Sequence, residues 1–502
     1  MKPKPHCISW WQFALGAGFV LVLTVFLYNL YKNSGYDDPY ITYRYARNIA
    51  TGQGFVYNPG ERVLSTTTPL FTLLLAGLFP LWSDLPHLAN LIGAASLAIG
   101  GLLLWDLARG WGTPRAGWVM LLLYPLFPVV TSTIGSETPL YLTLGIGTFA
   151  AYSHRRYTLA GLLAALAILA RPDAVLIAGI LGADFIIRRL LSARSAQSVE
   201  GQPPQPRFPW QALVVFGLIL GSWAVFSQLY FGELLPVTLF TKQAQGSLAI
   251  STTFVAGLFS KIIAVYWGNP LYSVMALLAI VGMVSGIVKQ SRWWLFLAWP
   301  VIYFVSYAVL GVSSYFWYYA PLAMGFIVLV GLGVDGLSVL AARLFSAQSL
   351  ANKEQLANRL VVAFLLVLVP WQVVTVYRAS QYIDPRLLAY TTAGKWLAKN
   401  TTPDEHVGLL EVGIIGYYSE RPVVDFAGLI QPDVAHQMAH ASTYEDTAIW
   451  AVTHFKPEIV LVHQGGFPRL EATILEPDCQ NIETIPGKNF GYQSNLLIYR
   501  CP

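Results

Sequence analysis

Residues 36–52 read YDDPYITYRYARNIATG, a polar and aromatic stretch standing between the apolar run Trp10–Tyr31 and a series of apolar runs that reaches residue 378. It opens as a helix start: Asp38 supplies an N-cap carboxylate, and Pro39 suits the first helical position. Ile41, Tyr45 and Ile49 then recur every four residues as one apolar stripe, while Arg44, Arg47 and Asn48 take other faces and Gly52 offers a stop. The pattern predicts a short amphipathic helix at a membrane surface. A cap needs only one carboxylate, which leaves Asp37 over. Adjacent carboxylates repel, so one of them holds its proton more tightly unless a cation compensates, and that suits a general base or a metal ligand.

The composition says what surrounds this stretch. Of 502 residues, 55% are hydrophobic and 11% charged, with a mean hydropathy of +0.53. Soluble domains carry roughly 25% charged residues, so lipid is the implied second solvent. The basic residues behind the net charge of +5 are dispersed through connectors, which points away from a nucleic-acid partner. The three cysteines are Cys7, Cys479 and Cys501, and no zinc-type Cys/His spacing occurs. Cys479 and Cys501 can pair if their domain faces an oxidising compartment.

A run of about 20 apolar residues crosses a bilayer, and Lys and Arg mark the cytoplasmic loops. Eleven spans are predicted, at about 11–31, 88–108, 115–133, 137–153, 157–170, 173–190, 210–230, 267–288, 294–312, 317–341 and 360–378. With Lys2 and Lys4 inside, fifteen basic residues fall in inner segments and seven in outer ones. Residues 69–83 are apolar but only fifteen long and interrupted by Pro80, so they are read as a helix dipping into the outer side. The chain thus divides into a transmembrane module, 1–378, whose first outer loop is 32–87, and an extracytoplasmic domain, 379–502. In that domain, strand-like runs at Val407–Val412, Val423–Phe426, Ile459–His463 and Leu496–Tyr499 alternate with helical patterns at 386–400 and 444–455, which suggests a small α/β layer. A multi-pass protein of the plasma or inner membrane is expected.

The run from Asp37 to Asn48, continuing as Gly52-Gln53-Gly54-Phe55-Val56-Tyr57-Asn58-Pro59-Gly60-Glu61-Arg62-Val63, resembles the first periplasmic loop of bacterial GT-C glycosyltransferases. That superfamily includes protein O-mannosyltransferases, aminoarabinose transferases and mycobacterial arabinofuranosyltransferases. Similar pieces are Thr67-Thr68-Pro69, Gly135-Ser136-Glu137-Thr138-Pro139, Arg171-Pro172-Asp173, Phe231-Gly232-Glu233 followed by Lys242, Phe316-Trp317-Tyr318-Tyr319, Glu411-Val412-Gly413 and Asp425-Phe426-Ala427-Gly428. The resemblance implies a GT-C-like fold that moves a hexosyl or pentosyl group from a polyprenyl-phosphate carrier to a hydroxyl of a glycan, lipid or protein acceptor, with inversion.

Such a reaction needs a base for the acceptor hydroxyl and cations for the departing phosphate. Asp37 is the expected base, with Asp38 supporting it or sharing a divalent cation. No cofactor is certain. Arg171 and Lys242 are the candidate phosphate ligands, although an interhelical turn capped by Asp173 and a snorkelling lysine explain them equally simply. Glu137 is either a second cavity acid or a helix-start residue. Arg44 and Arg47 suit phosphate or lipid headgroups. Tyr318 and Tyr319 suit sugar stacking or an interfacial aromatic belt. The scattered histidines, His463 among them, suggest no metal site. A transporter would show internal repeats and midplane charge, neither of which is evident; a noncatalytic envelope assembly protein is the other alternative.

Overall fold

The computed structural model describes residues 10–196, 208–248, 251–288, 291–345 and 350–502. Lys2, Lys4, Cys7, Arg207 and Lys289, which entered the charge and cysteine counts, lie outside the described residues.

The protein is a multi-pass helical membrane protein with a small C-terminal sheet domain. It begins with α1 (Trp10–Tyr31), α2 (Asp37–Ala50), α3 (Pro69–Leu78), α4 (Leu85–Gly110), α5 (Pro114–Leu123), α6 (Pro128–Thr131), α7 (Thr138–Ser153), α8 (Tyr157–Ala170), α9 (Val175–Ala196) and α10 (Trp210–Phe231). There follow α11 (Val237–Ser247), α12 (Phe254–Gly257), α13 (Ala264–Trp267), α14 (Pro270–Val288), α15 (Trp293–Leu310), α16 (Ala320–Phe345) and α17 (Leu350–Ser380). Among the described residues, seven helical stretches are long and apolar enough to cross a membrane by length and composition. The eleven expected spans are therefore not all matched on that measure. The run at 115–133 breaks at Pro125 and Pro128, whose missing amide protons interrupt a helix. With 16 and 14 residues, α7 and α8 are short, and α7 is mostly buried inside the bundle. The dipping segment at 69–83 forms α3, ten residues long, about 15 Å against a hydrocarbon core of about 30 Å.

Close helix approach needs small residues. Where α14 crosses α16, a Cβ on Gly282 would strike the Leu329 carbonyl, and one on Gly333 would strike that of Leu278. These two glycines let the backbones touch.

The C-terminal part continues with α18 (Pro385–Asn400), β1 (Val407–Leu409), α19 (Ile414–Ser419), β2 (Val423–Asp425), α20 (Pro432–Met438), α21 (Tyr444–Phe455), β3 (Ile459–His463), β4 (Gln480–Ile485) and β5 (Leu496–Arg500). The sheet order is β2-β1-β3-β5-β4, parallel across the first three strands and antiparallel thereafter. The four expected strands form. β4 escaped the reading because, as an edge strand, it is largely exposed and lacks an apolar alternation. Cys479 and Cys501 form a disulfide that joins the start of β4 to the chain just beyond β5.

Replacing both cysteines with serine should lower the stability of the C-terminal domain by about 3 kcal/mol, the closure entropy of a loop of this size. Chemical denaturation of the full chain, followed by proteolysis between α17 and the domain, reads that loss.

Candidate active site

α2 is the element that builds the site, and two of its faces do different things. Its N-cap is Tyr36, so both acids fall inside the first turn and the expected capping by Asp38 does not occur. Nor does α2 lie on a lipid surface. Residues on several faces, among them Pro39, Tyr40, Tyr43 and Ala46, are buried, and Tyr40 and Tyr43 both meet Tyr417 of α19.

On the face toward the C-terminal domain, Asp37 accepts the backbone N–H of Gly413 at 2.9 Å and of Ile414 at 2.7 Å. It thereby satisfies free amides at the N-terminus of α19, where a negative charge is also favoured by the helix dipole. Two turns further along, Arg44 donates to the carbonyls of Gly416 at 2.8 Å and Arg421 at 2.6 Å. It also donates to Tyr57 at 3.0 Å and lies over the Tyr57 ring. Asn58 adds a two-way pair with the backbone of Val423, at 2.9 and 3.0 Å. A Cβ on Gly413 would collide with the Asp37 carbonyl, and one on Gly416 with the Tyr57 hydroxyl. Arg44 is thus fully committed to backbone carbonyls and buried, which corrects its reading as a phosphate or headgroup ligand.

The adjacent face carries Asp38, Ile41 and Thr42, and it lines a cavity of about 360 Å³ shared with Thr66–Thr68, Glu137, Arg171, Asp173, Lys242 and Tyr318. Asp38 receives the Lys242 ammonium at 3.3 Å, and Lys242 also sits 4.0 Å above the Tyr315 ring. Burial pulls the ammonium down, but Asp38 holds it well above its ordinary pKa. Lys242 is positioned because α11 is tied at its start and again at Thr241, the residue before the lysine. Val237 N–H donates to the Leu64 carbonyl at 2.9 Å, and the Thr241 hydroxyl donates to that of Gly428 at 2.9 Å. The turn bearing Gly428 is itself folded around Asp425, which accepts from Ala427 and Ile430 at 2.7 and 2.9 Å and delivers Leu429 to the cavity wall.

On the opposite wall, Arg171 reaches Asp173 at 2.8 Å, Glu137 at 3.5 Å and the Tyr307 hydroxyl at 3.1 Å. Tyr318 lines the cavity. Tyr319 does not: it is buried against Phe254 and donates to that residue's carbonyl at 2.8 Å, which corrects its inclusion. A wider hollow of about 1010 Å³, between residues 232–244 and 432–440, has no Lys or Arg among its described lining, so it lacks the pairing that marks the smaller one.

The structure therefore brings together Asp38, Glu137, Arg171, Lys242 and Tyr318, and turns Asp37 and Arg44 away. Asp37 bonds the amides of α19 while Asp38 lines the cavity, so the two acids meet different partners. Among the described residues no three His, Cys, Asp or Glu side chains gather as a metal set. Asp173 and Tyr307 went unrecognised as cavity residues. The Arg-Pro-Asp spacing held a signal for the first, whereas a tyrosine inside an apolar span held none for the second. Glu411 was also missed: it receives the Tyr390 hydroxyl at 3.3 Å and lies close enough to Asp37 to raise its proton affinity.

A family model described as a domain of unknown function (DUF8728) matches residues 377–499. No curated protein sequence matches the chain. Among solved structures, ArnT from Cupriavidus metallidurans in the apo state superposes with a TM-score of 0.62 at 13% identity, over 97% of this chain and 98% of that one. The same protein bound to undecaprenyl phosphate gives 0.57 at 13% identity, over 98% of each chain. The archaeal oligosaccharyltransferase AglB from Archaeoglobus fulgidus, in complex with an inhibitory peptide and a dolichol-phosphate, gives 0.53 at 15% identity, over 92% of this chain and 70% of that one. The chain shares the fold of these proteins, the GT-C fold that the first-loop resemblance implied.

Burial, and then Glu411, push the Asp37 carboxyl from 3.8 up to about 7. A raised carboxyl stabilises the fold below its unfolded value and loses that contribution as pH climbs through the folded one. Thermal stability of the detergent-solubilised protein should accordingly fall between pH 4 and 7, values that bracket that shift. Glu411→Gln should flatten the slope by removing the neighbouring charge; an unchanged slope would mean that Glu411 does not act on Asp37. Gly413→Ala should expose the seam between α2 and α19 to limited proteolysis at 25 °C, where the parent resists.

Proposed function

We propose that the chain is a membrane glycosyltransferase, transferring a sugar from a polyprenyl-phosphate donor to an acceptor hydroxyl on the extracytoplasmic face. The observation that carries this reading is the convergence of one accessible carboxylate, Asp38, and two cations, the half-buried Lys242 and the buried Arg171, on a single cavity. The fold supports it as well, since structures of both similar proteins hold a polyprenyl phosphate. The surplus of basic residues in the predicted inner connectors and the disulfide of the C-terminal domain favour the extracytoplasmic side for that domain and for the cavity beneath it.

In the proposed reaction the acceptor oxygen attacks the anomeric carbon from the side opposite the phosphate. Its proton passes to Asp38, the new glycosidic bond forms, and the bond from carbon to phosphate oxygen breaks. Polyprenyl phosphate leaves with the electron pair. A single displacement of this kind inverts the anomeric centre. Lys242 and Arg171 meet the charge that grows on the leaving oxygen, and a phosphate needs no proton to depart. Asp38 takes the role first expected of Asp37, because both oxygens of Asp37 are bonded to backbone amides while Asp38 faces the cavity. The steps require no metal ion from the Asp37–Asp38 pair.

Transfer of radiolabelled sugar from polyprenyl-phosphate donors to membrane acceptors tests the reading. Asp38→Asn should lower turnover by about 10²-fold or more, and Lys242→Ala by about 10²-fold, with both proteins still folded. Asp37→Asn should instead lower thermal stability and leave measurable transfer. Full transfer by Asp38→Asn would remove it as the base, and absence of transfer by the intact parent from any polyprenyl-phosphate donor would remove the function.

A further inference from the structure

At the other end of the bundle the helices enclose a second polar hollow, of about 850 Å³, between the end of α4, the starts of α5, α15 and α17, and the end of α16. α16 alone has 26 residues, roughly 39 Å of helix, so this hollow lies a membrane thickness away from Tyr318. Its charges are unevenly matched. Arg115 takes both of its carboxylates, Asp335 at 2.7 Å and Glu354 at 3.2 Å. Arg292, Arg343 and Lys353 also line it, and among the described residues none of the three has an acidic partner. Three uncompensated cations around one concavity repel each other, and an anion placed among them removes that repulsion.

The surface next to the hollow points to the kind of anion. Leu340, Leu344 and Phe345, outside the lining but on the same last turns of α16 as Arg343, are 51%, 71% and 82% exposed. A soluble anion gives such side chains nothing, whereas acyl chains beside a phosphate cover them. Basic pockets between transmembrane helices with apolar flanks bind the headgroups of anionic lipids.

We propose that this hollow is a binding site for the phosphate of an anionic phospholipid, held by Arg292, Arg343 and Lys353, with Arg115 kept in place by Asp335 and Glu354. The site is separate from the sugar-transfer cavity and does not depend on the reading given for it.

The test uses the full chain in nanodiscs of equal parts phosphatidylglycerol and phosphatidylcholine, released for native mass spectrometry. The parent should retain phosphatidylglycerol in preference to phosphatidylcholine. Arg292→Gln/Arg343→Gln/Lys353→Gln should reduce that retention about tenfold, while Arg155→Gln/Arg156→Gln, which removes exposed charge elsewhere, should leave it unchanged. Equal retention of the two lipids, or equal loss in both variants, overturns the site. A parallel arm measures thermal stability in phosphatidylcholine alone with added sn-glycerol phosphate. Stabilisation there that the triple variant lacks would assign the pocket to a soluble phosphate and overturn the lipid.

Discussion

One carboxylate and one guanidinium, two turns apart on α2, hold α19 and the chain that follows it, and the cavity depends on that grip. Residues seven apart on a helix share a face and are separated by roughly 10.5 Å, so Asp37 and Arg44 reach different points along the same segment. Asp37 meets the amides at the start of α19, while Arg44 meets the Gly416 carbonyl in its middle and the Arg421 carbonyl just beyond its end. Hydrogen bonds to charged groups are worth about 1.5–3 kcal/mol each, and the two from Arg44 act here away from water. By contrast Arg47 pairs with Glu420, a side chain 63% exposed, and surface pairs contribute roughly 0–1 kcal/mol. The seam is held by the buried contacts. It carries with it Leu429 and the Gly428 carbonyl, hence one wall of the cavity and one anchor of α11.

The two neighbouring acids separate into different tasks because a helix turns about 100° per residue. That rotation sends Asp37 to the domain and Asp38 to the cavity. A single carboxylate could not serve both: the one that holds Gly413 and Ile414 faces the domain and is not part of the cavity lining. The cost of the arrangement falls on Asp37, whose burial beside Glu411 raises its proton affinity.

Much of the fold was legible in the sequence because it rests on local pattern. The apolar runs, a short helix beginning at Pro69, four of five strands and the boundaries of α18 and α21 follow from hydropathy period and from Pro and Gly placement. The site was legible as a set of residues but not as a set of roles. Asp37 and Arg44 look catalytic in the sequence because their partners are backbone groups some 370 positions away, and backbone groups carry no sequence signal. Gly413 and Gly416 are the visible trace of that contact, since each marks a place where α2 or Tyr57 comes too close for a side chain. Tyr319 was misplaced for a related reason: adjacent aromatic residues in a tight turn point to different sides, and only the fold says that Tyr318 faces inward.

The two cavity cations are not equivalent, and the difference bears on how the proposed reaction would begin. Arg171 is fixed by Asp173, Glu137 and Tyr307, and a guanidinium held in three directions supplies a stationary charge. Lys242 has one carboxylate partner, at 3.3 Å, and a compact ammonium on a flexible stem. A phosphate entering beside Arg171 would therefore find Lys242 the cation able to move. As the ammonium turned toward the phosphate, the Asp38 carboxylate would give up its ion-pair partner and stand open to the acceptor hydroxyl. Donor binding would then free the carboxylate for the acceptor, and in an empty cavity the same ion pair occupies it.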